Sequence, residues 1–172
     1  MHLGAHADGP NHYGKGADSI EKMPISRYLG PATVLEATVA PGKRVLPSDV
    51  RGLELLETQI VLLRTSTFPT FEAWREDFAA LSVELVDELG RRGVTTIGID
   101  TPSVDLIASK DLEAHNAILR HGIAILEGLD LKNVAAGPGV IYELIALPLP
   151  LEGFDASPVR AVLRPMRASG KV

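Results

Sequence analysis

The sequence predicts an α/β fold with a mixed β-sheet. Stretches typical of strands alternate with stretches typical of helices along the whole chain, which is the pattern of that class. The 172 residues are enough for one domain with a good core. The composition, 45% hydrophobic and 23% charged, is ordinary for a soluble globular protein. We therefore interpret residues 1–172 as a single domain.

Two strands and two short helical segments are predicted in the first half. Residues 32–39 alternate in polarity and are rich in β-branched side chains, and residues 59–64 form a compact apolar run, so both are predicted strands. Residues 19–29 favour a short helix that a proline interrupts. Residues 48–57 begin with Ser-Asp, which is typical of a helix start.

Helices and strands alternate in the second half. Leucines four residues apart predict a helix over residues 70–92, which an Arg-Arg-Gly sequence ends, and a second helix is predicted over residues 109–121. Strands are predicted over residues 94–100, 123–129, 142–149 and 158–163.

Three residues in this half have competing interpretations. Trp74 is predicted to fill the core or a helix contact rather than to stack on a substrate. Asp100 follows a buried strand, a common position for chemistry in α/β folds, but it suits a turn equally well. His121 is interpreted as a favourable charge at a helix C-terminus.

Charge and composition exclude several classes of partner. The formal net charge of −5 and the lack of a Lys/Arg cluster argue against nucleic-acid binding. No signal peptide is visible, and the longest apolar stretch, residues 140–151, is broken by a glutamate and two prolines, so no membrane span is predicted. The chain has no Cys, which fits the reducing cytoplasm. We expect a cytoplasmic protein that acts on a small molecule.

The first twelve residues carry the strongest functional signal. Three of the five histidines lie there with an aspartate: His2, His6, Asp8 and His12. All four occupy even positions, so an extended segment would point them to one face. The span from His2 to Asp8 is about 20 Å when extended, whereas ligand atoms lie about 2 Å from a metal. We therefore expect the backbone to curl, with Gly4 and Gly9 supplying unusual φ angles.

These ligand types indicate which metals are suitable. Imidazole with carboxylate suits zinc, manganese or ferrous iron, and the lack of Cys excludes a thiolate site. The other interpretation is a disordered or tag-like start, but tags are usually uninterrupted His runs.

Two later residues can complete the metal site. His115 lies in the second predicted helix, and Glu127 lies on the same strand face as Ile123 and Ile125. A carboxylate on an apolar face is costly unless a cation pairs with it. The alternatives are an edge strand with Glu127 in water and a partly exposed helix histidine. Three imidazoles and two carboxylates exceed the needs of one catalytic zinc, so bridging carboxylates would hold two metals about 3.5–4 Å apart. His12 is then available as a general acid and base.

The residues that carry this pattern resemble a known family. Residues 2–12, His-Leu-Gly-Ala-His-Ala-Asp-Gly-Pro-Asn-His, are similar to the metal motif of the bacterial kynurenine formamidase (arylformamidase) and cyclase-like family. Residues 98–103, 143–149 and 155–160 and the spacing from His115 to Glu127 are similar as well, so the resemblance covers essentially the whole chain. The segments at 98–103 and 155–160 resemble the formamidase branch more than its isatin-hydrolase-like relatives.

The resemblance implies a fold, a metal centre and a reaction. The implied fold is a swivelling β/β/α arrangement, with a mixed, barrel-like sheet flanked by helices, in a homodimer. Two zinc ions per subunit are implied, with manganese as the alternative. His2, His6 and Asp8 would bind one ion. Asp8 and Glu127 would bridge, and His115 would bind the second ion. His12 would donate and accept the proton while N-formyl-L-kynurenine is hydrolysed to L-kynurenine and formate in tryptophan degradation.

The chain departs from the family pattern in two places. Family members carry several dozen residues before the motif, including strands and an aromatic substrate contact, whereas this chain starts one residue before the first ligand. Without that segment we expect an open sheet edge, a missing pocket wall and a frayed His2. Ala5 also replaces the threonine that is common at its position.

Three other functions are compatible with the sequence. One is a truncated, non-catalytic metal-binding homologue. The second is another cyclase-like hydrolase. The third is an iron oxygenase with a two-His-one-carboxylate site built from His6, Asp8 and His115, which would leave the other three candidate residues unexplained.

Overall fold

The computed structural model describes residues 1–69 and 73–166. The strands are β1 (His6–Asp8), β2 (Leu29–Glu36), β3 (Arg44–Val45), β4 (Ile60–Arg64), β5 (Ala80–Leu81), β6 (Thr96–Ile99), β7 (Ala124–Glu127), β8 (Ile141–Ile145), β9 (Ala156–Pro158) and β10 (Val162–Pro165). The helices are α1 (Val83–Arg91) and α2 (Glu113–His121). Eight strands form one sheet in the order β10-β8-β2-β4-β6-β7-β1-β9, and β3 pairs with β5 separately.

The large sheet is mixed, as the sequence predicts. Its centre, β2-β4-β6-β7, is parallel, whereas β8 and β10 on one side and β1 and β9 on the other are antiparallel. The carboxyl ends of the four parallel strands therefore lie at one edge, and β1 lies beside the last of them. This edge is the usual position of a site in open α/β sheets.

Side-chain alternation along the central strands separates two buried apolar clusters. Ile97 and Ile125 belong to the cluster that includes residues of α1 and α2, whereas Leu62 and Leu126 belong to the cluster on the opposite face. Alternate residues of a strand point to opposite faces. Glu127 follows Ile125 by two residues and therefore lies on the face that the helices cover.

The predicted helix over residues 70–92 is largely wrong. Residues 70–72 lie outside the described residues, residues 73–79 are irregular, and only Val83–Arg91 is helical. The Ser82 side chain begins α1 by accepting a hydrogen bond from the Leu85 backbone N–H at 3.1 Å. Leu81 continues the leucine spacing in the sequence, but it belongs to β5 and pairs with Val45.

Two shorter helix predictions become single turns. Residues 19–29 and 48–57 contain only three-residue 3₁₀ turns: Ile20–Lys22, Ile25–Arg27, Pro47–Asp49 and Leu53–Leu55. A proline precedes one of these turns and starts another. Each turn is shorter than the length at which an α-helix becomes stable. Most predicted strands are confirmed in type with shifted ends; residues 142–149, for example, stop pairing at Ile145. The single strand predicted over residues 158–163 is wrong, because the chain there forms the end of β9 and the start of β10, which lie at opposite edges of the sheet. No helix in the described part of the chain is long and apolar enough to cross a membrane.

Candidate metal centre

The register between β1 and β7 brings the first ligands together. His6 lies opposite Glu127 and Asp8 lies opposite Ile125 in the antiparallel ladder, so His6, Asp8 and Glu127 share the face covered by the helices. All three are almost completely buried, with 1–3% of each residue exposed. His6 Nε2 lies 3.2 Å from Glu127 Oε2 and 3.4 Å from Asp8 Oδ1. The alternative in which Glu127 lies in water on an edge strand is therefore wrong.

A turn of the backbone at Gly4 brings His2 back to Asp8. Gly4 has a φ angle of +67°, which favours glycine, and His2 Nδ1 lies 3.0 Å from Asp8 Oδ1. Gly128 permits this close approach, because a Cβ there would collide with the Gly4 carbonyl. The prediction for Gly9 is wrong, since its φ angle is −81°. Gly9 is needed for space instead, because its Cβ would lie 2.8 Å from the Ile20 backbone nitrogen.

His115 reaches the cluster from α2. Its Nε2 lies 3.5 Å from Asp8 Oδ2 and 3.7 Å from Glu127 Oε1, and only 2% of the residue is exposed. The alternative of a partly exposed helix histidine is therefore wrong. The other ring nitrogen, Nδ1, lies 2.9 Å from Asp105 Oδ2. An imidazole held in this way presents its free nitrogen to a metal.

Asp105, which the sequence patterns do not single out, holds His115 in place. Its carboxylate accepts hydrogen bonds from the backbone N–H groups of Ala114 and His115 and from Arg44, whose Nη1 lies 2.8 Å from Oδ1. Burial opposes ionisation of Asp105, but the His115 and Arg44 hydrogen bonds hold its pKa far below the usual value. The available signal was weak: an acidic residue ahead of a helix, ten positions before a histidine.

His12 and Asp155 lie beside His2 on the solvent-accessible side of the centre. His12 lies in the 3₁₀ turn Pro10–His12 rather than in β1, and its ring centroid is 4.0 Å from that of His2. Asp155 Oδ2 lies 3.4 Å from His12 Nδ1 and 3.3 Å from His2 Nε2. Asp155 lies in one of the segments that resemble the family, but the sequence patterns do not predict a role for it.

The centre has a buried half and a half that reaches solvent. The inner group consists of His6, Asp8, His115 and Glu127. The outer group consists of His2, His12 and Asp155, whose side chains are 28%, 33% and 47% exposed. All six site residues predicted from the sequence therefore lie in one cluster.

The pKa values of the inner group show how strongly its carboxylates attract positive charge. Burial opposes protonation of His6, but the nearby carboxylates of Asp8 and Glu127 raise its pKa to about 10. Burial likewise opposes protonation of His115, but the nearby carboxylates of Asp105 and Asp8 raise its pKa to about 9. Burial and the charge of Asp8 raise the pKa of Glu127. Protonated imidazoles here provide the positive charge that a divalent cation would otherwise supply.

Unsatisfied polar atoms show that the inner group fits a metal. His6 Nε2 and both carboxylate oxygens of Asp8 are buried and have no hydrogen-bond partner. Such atoms are costly unless a cation or proton pairs with them. Ligand atoms of His6, Asp8 and Glu127 lie within 4.8 Å of one another, as do those of His2, Asp8 and His12. Asp8 belongs to both sets, as a bridging carboxylate would.

The three residues with competing interpretations lie outside the cluster. Asp100 accepts hydrogen bonds from the backbone N–H groups of Thr65 and Ser66 and from the Thr65 hydroxyl, so it holds a turn. His121 Nε2 lies 2.8 Å from Asp87 Oδ1 and ties α2 to α1. The prediction that Trp74 fills the core is wrong, because 60% of the residue is exposed.

Comparison with known proteins defines the class and then the family. A solved structure described as a potential metal-dependent hydrolase with cyclase activity matches with a TM-score of 0.81 and 28% identity, covering 94% of this chain and 78% of that one. The fold and the cluster thus define a metal-dependent hydrolase. The Cyclase family model matches residues 1–106. Kynurenine formamidases of Bordetella petrii and Bordetella pertussis are each 45% identical over 163 residues, which is 95% of this chain and 76% of each relative. The chain belongs to the Cyclase family.

Proposed function

We infer that this protein is an amidase that hydrolyses N-formyl-L-kynurenine to L-kynurenine and formate. The observation that carries this conclusion is the 45% identity to curated kynurenine formamidases over 95% of the chain. The cluster of imidazoles and carboxylates is consistent with it, since amide hydrolysis needs an activated water and a polarised carbonyl.

We propose that the centre holds two zinc ions per subunit, with manganese as the alternative for the same ligands. His2, His6 and Asp8 would hold one ion. Asp8 and Glu127 would be shared, and His115 would hold the second. When bound, the ions lower the pKa of water and polarise the formyl carbonyl. Support for a shared carboxylate comes from Asp8, which belongs to both close sets of ligand atoms, one with His6 and Glu127 and the other with His2 and His12. The division of the ligands between the two ions rests on the family resemblance.

His12 is proposed as the group that moves the proton. Burial lowers its pKa, so its imidazole is neutral and can accept a proton from water at neutral pH. The protonated ring then delivers that proton to the aniline nitrogen as the amide bond breaks. Asp155, next to His12 Nδ1, orients the ring and stabilises the imidazolium form. The inner group lies too deep to exchange protons in this way.

An assay combined with metal analysis tests this function. The purified protein should hydrolyse N-formyl-L-kynurenine, contain about two zinc ions per chain, and lose activity with a chelator and regain it with zinc. Metal binding without hydrolysis would instead indicate the non-catalytic homologue. Turnover that requires iron and oxygen would indicate the oxygenase, and hydrolysis only of other amides or lactams would indicate another cyclase-like hydrolase.

The homodimer and the cytoplasmic location are proposals that rest on the resemblance and on the lack of Cys. Light scattering on the purified protein gives the mass of the assembly, and a mass of one chain would contradict the dimer. Fractionation of the source cells, followed with an antibody, tests the location.

A further inference from the structure

A cleft with a volume of about 920 Å³ opens beside the metal centre. His2 and His6 form part of its wall, so a molecule in the cleft lies against the proposed ligands. Leu62 and Leu144, from the apolar cluster on the sheet face opposite the helices, form another part. The mechanism described above uses only the His-containing side and leaves the rest of the cleft without a role.

Aromatic side chains form a further wall of this cleft. Phe68 and Trp74 line it with ring centroids 5.8 Å apart and ring planes at 70°. Trp74 is 60% exposed, so its ring is accessible to a molecule in the cleft. An apolar cleft with aromatic walls suits an aryl group, and a few polar groups then determine its orientation.

Among the described residues that line the cleft, Arg160 is the one arginine. Its position relative to the metal centre is fixed by backbone pairing, because His6 lies opposite Pro158 and the Val159 N–H donates to the Ala5 carbonyl at 2.9 Å. Continuing that ladder places Arg160 opposite Gly4, two residues from His6. Within the described residues its guanidinium forms no ion pair or hydrogen bond. Arg160 is exposed at the cleft, so its guanidinium is accessible to an anion that enters.

We propose that Arg160 binds the α-carboxylate of the substrate, with the aryl ring between it and the metal centre. This inference rests on the proposed function, whose substrate carries a formamide on its ring and an amino acid at the far end. The planar guanidinium matches a carboxylate with two parallel hydrogen bonds. Asp130 also lines the cleft and supplies the opposite charge for the ammonium group of the same amino acid. The cleft therefore selects a zwitterionic aryl ketone over a simple formanilide.

The experiment compares Arg160→Gln with the unchanged protein on two substrates. N-formyl-L-kynurenine has the amino acid, whereas ortho-formamidoacetophenone keeps the formamide, ring and ketone but lacks it. We expect the KM for N-formyl-L-kynurenine to rise about tenfold or more, the effect of losing a charge-assisted hydrogen bond, with kcat changed less than about twofold. The kcat/KM for ortho-formamidoacetophenone should not change. Inhibition by L-kynurenine should weaken by a similar factor.

Two further variants act as controls. Arg164→Gln removes an arginine on β10 that pairs with Glu143 and does not line the cleft, so both substrates should behave as with the unchanged protein. Arg160→Lys keeps the charge without the planar fork and should restore part of the lost affinity.

The outcomes separate this inference from the proposed function. If Arg160→Gln lowered kcat/KM equally for both substrates, or for neither, the proposed role of Arg160 would be wrong. Hydrolysis by the unchanged protein would still support the proposed function. If the unchanged protein hydrolysed neither compound, the proposed function would fail and the inference with it. If Arg160→Gln failed to fold, two other measurements would test the inference. Arg160→Lys should raise the KM for N-formyl-L-kynurenine only, and the unchanged protein should have a lower KM for N-formyl-L-kynurenine than for ortho-formamidoacetophenone.

Discussion

The inner and outer groups of the metal centre use the same side-chain types in opposite surroundings. Side chains of the inner group are at most 4% exposed and lie on β1, β7 and α2, whereas those of the outer group are 28–47% exposed and lie on turns and strand ends. Buried carboxylates have lost their hydration and need a cation nearby. Half-exposed groups can exchange protons with water and contact a substrate.

This difference separates binding from chemistry within one cluster, except at His2, which belongs to the outer group and is also a proposed metal ligand. The inner group is rigid because sheet register and helix packing determine its geometry, and rigid ligands hold a metal well. The outer group lies between that metal and the solvent, where a proton must enter and leave. Variants of the two groups should therefore have different consequences for metal content and for turnover.

The largest effect is expected from the inner variant Glu127→Gln. It removes a buried charge from the ligand set, so metal affinity should fall more than about 100-fold, since even a residue behind the ligands is worth about 10- to 100-fold. Turnover should be lost with the metal. Metal titration by calorimetry measures the affinity. The matched control is Glu88→Gln, which alters only ion pairs with Arg91 and Arg92 on α1. Unchanged affinity of Glu127→Gln would remove it from the ligand set.

The outer variant His12→Ala should separate chemistry from binding. Metal content should stay the same, while kcat falls about 10²- to 10⁴-fold, the usual contribution of a general acid and base. Metal analysis and steady-state kinetics on one preparation measure both. His121→Ala removes another half-exposed histidine, paired with Asp87 away from the centre, and should leave both values unchanged. Loss of metal from His12→Ala would show that His12 is a ligand and that the division into two groups is wrong at this position.

Asp105→Asn tests how strongly metal binding by the inner group depends on the contact between Asp105 and His115. The amide cannot keep the same charged contact with His115 and Arg44, so metal affinity should fall about 10- to 100-fold. At saturating metal, Asp105→Asn should retain a higher kcat than Glu127→Gln. Asp111→Asn, an exposed position before α2, serves as the control. An effect on thermal unfolding without any effect on metal affinity would assign Asp105 a purely structural role.

The smallest expected effects are on pH dependence: metal affinity should rise with pH, whereas stability without metal should fall. Before a cation binds, His6 with a pKa of about 10 and His115 with a pKa of about 9 are protonated at neutral pH. A cation needs them neutral, so its affinity should rise with pH, about tenfold per unit for each displaced proton, until those pKa values are passed.

Stability without metal should change in the opposite direction. Both folded-state pKa values are raised above the usual 6.5, so the stabilisation is fully present below about pH 6.5 and is lost as pH rises through about 9 to 10. Thermal unfolding in chelator should show a melting temperature that falls over this range, while zinc titrations show rising affinity. A flat melting temperature in chelator would indicate that these histidines are not buried against carboxylates.

The predictable part of the site depends on local periodicity. His6 and Asp8 share a face because they are two residues apart in a strand, and Glu127 shares the face of Ile125 for the same reason. The unpredicted parts depend on distant pairing. Asp105 meets His115 through a loop that follows β6. The leucine spacing predicts a helix that includes Trp74, whereas the helix in the structure starts only at Val83.

The sequence by itself determined the residue types of the centre, the α/β class and the faces of individual strands, because these follow from the chemistry and spacing of neighbours along the chain. Tertiary structure alone decided the pairing of β1 with β7 and β9, which places Asp155 at the opening and Arg160 in the cleft. Register between distant strands depends on the packing of the whole sheet. For that reason, spacing along the chain could suggest which residues bind a cation but not which residues surround them.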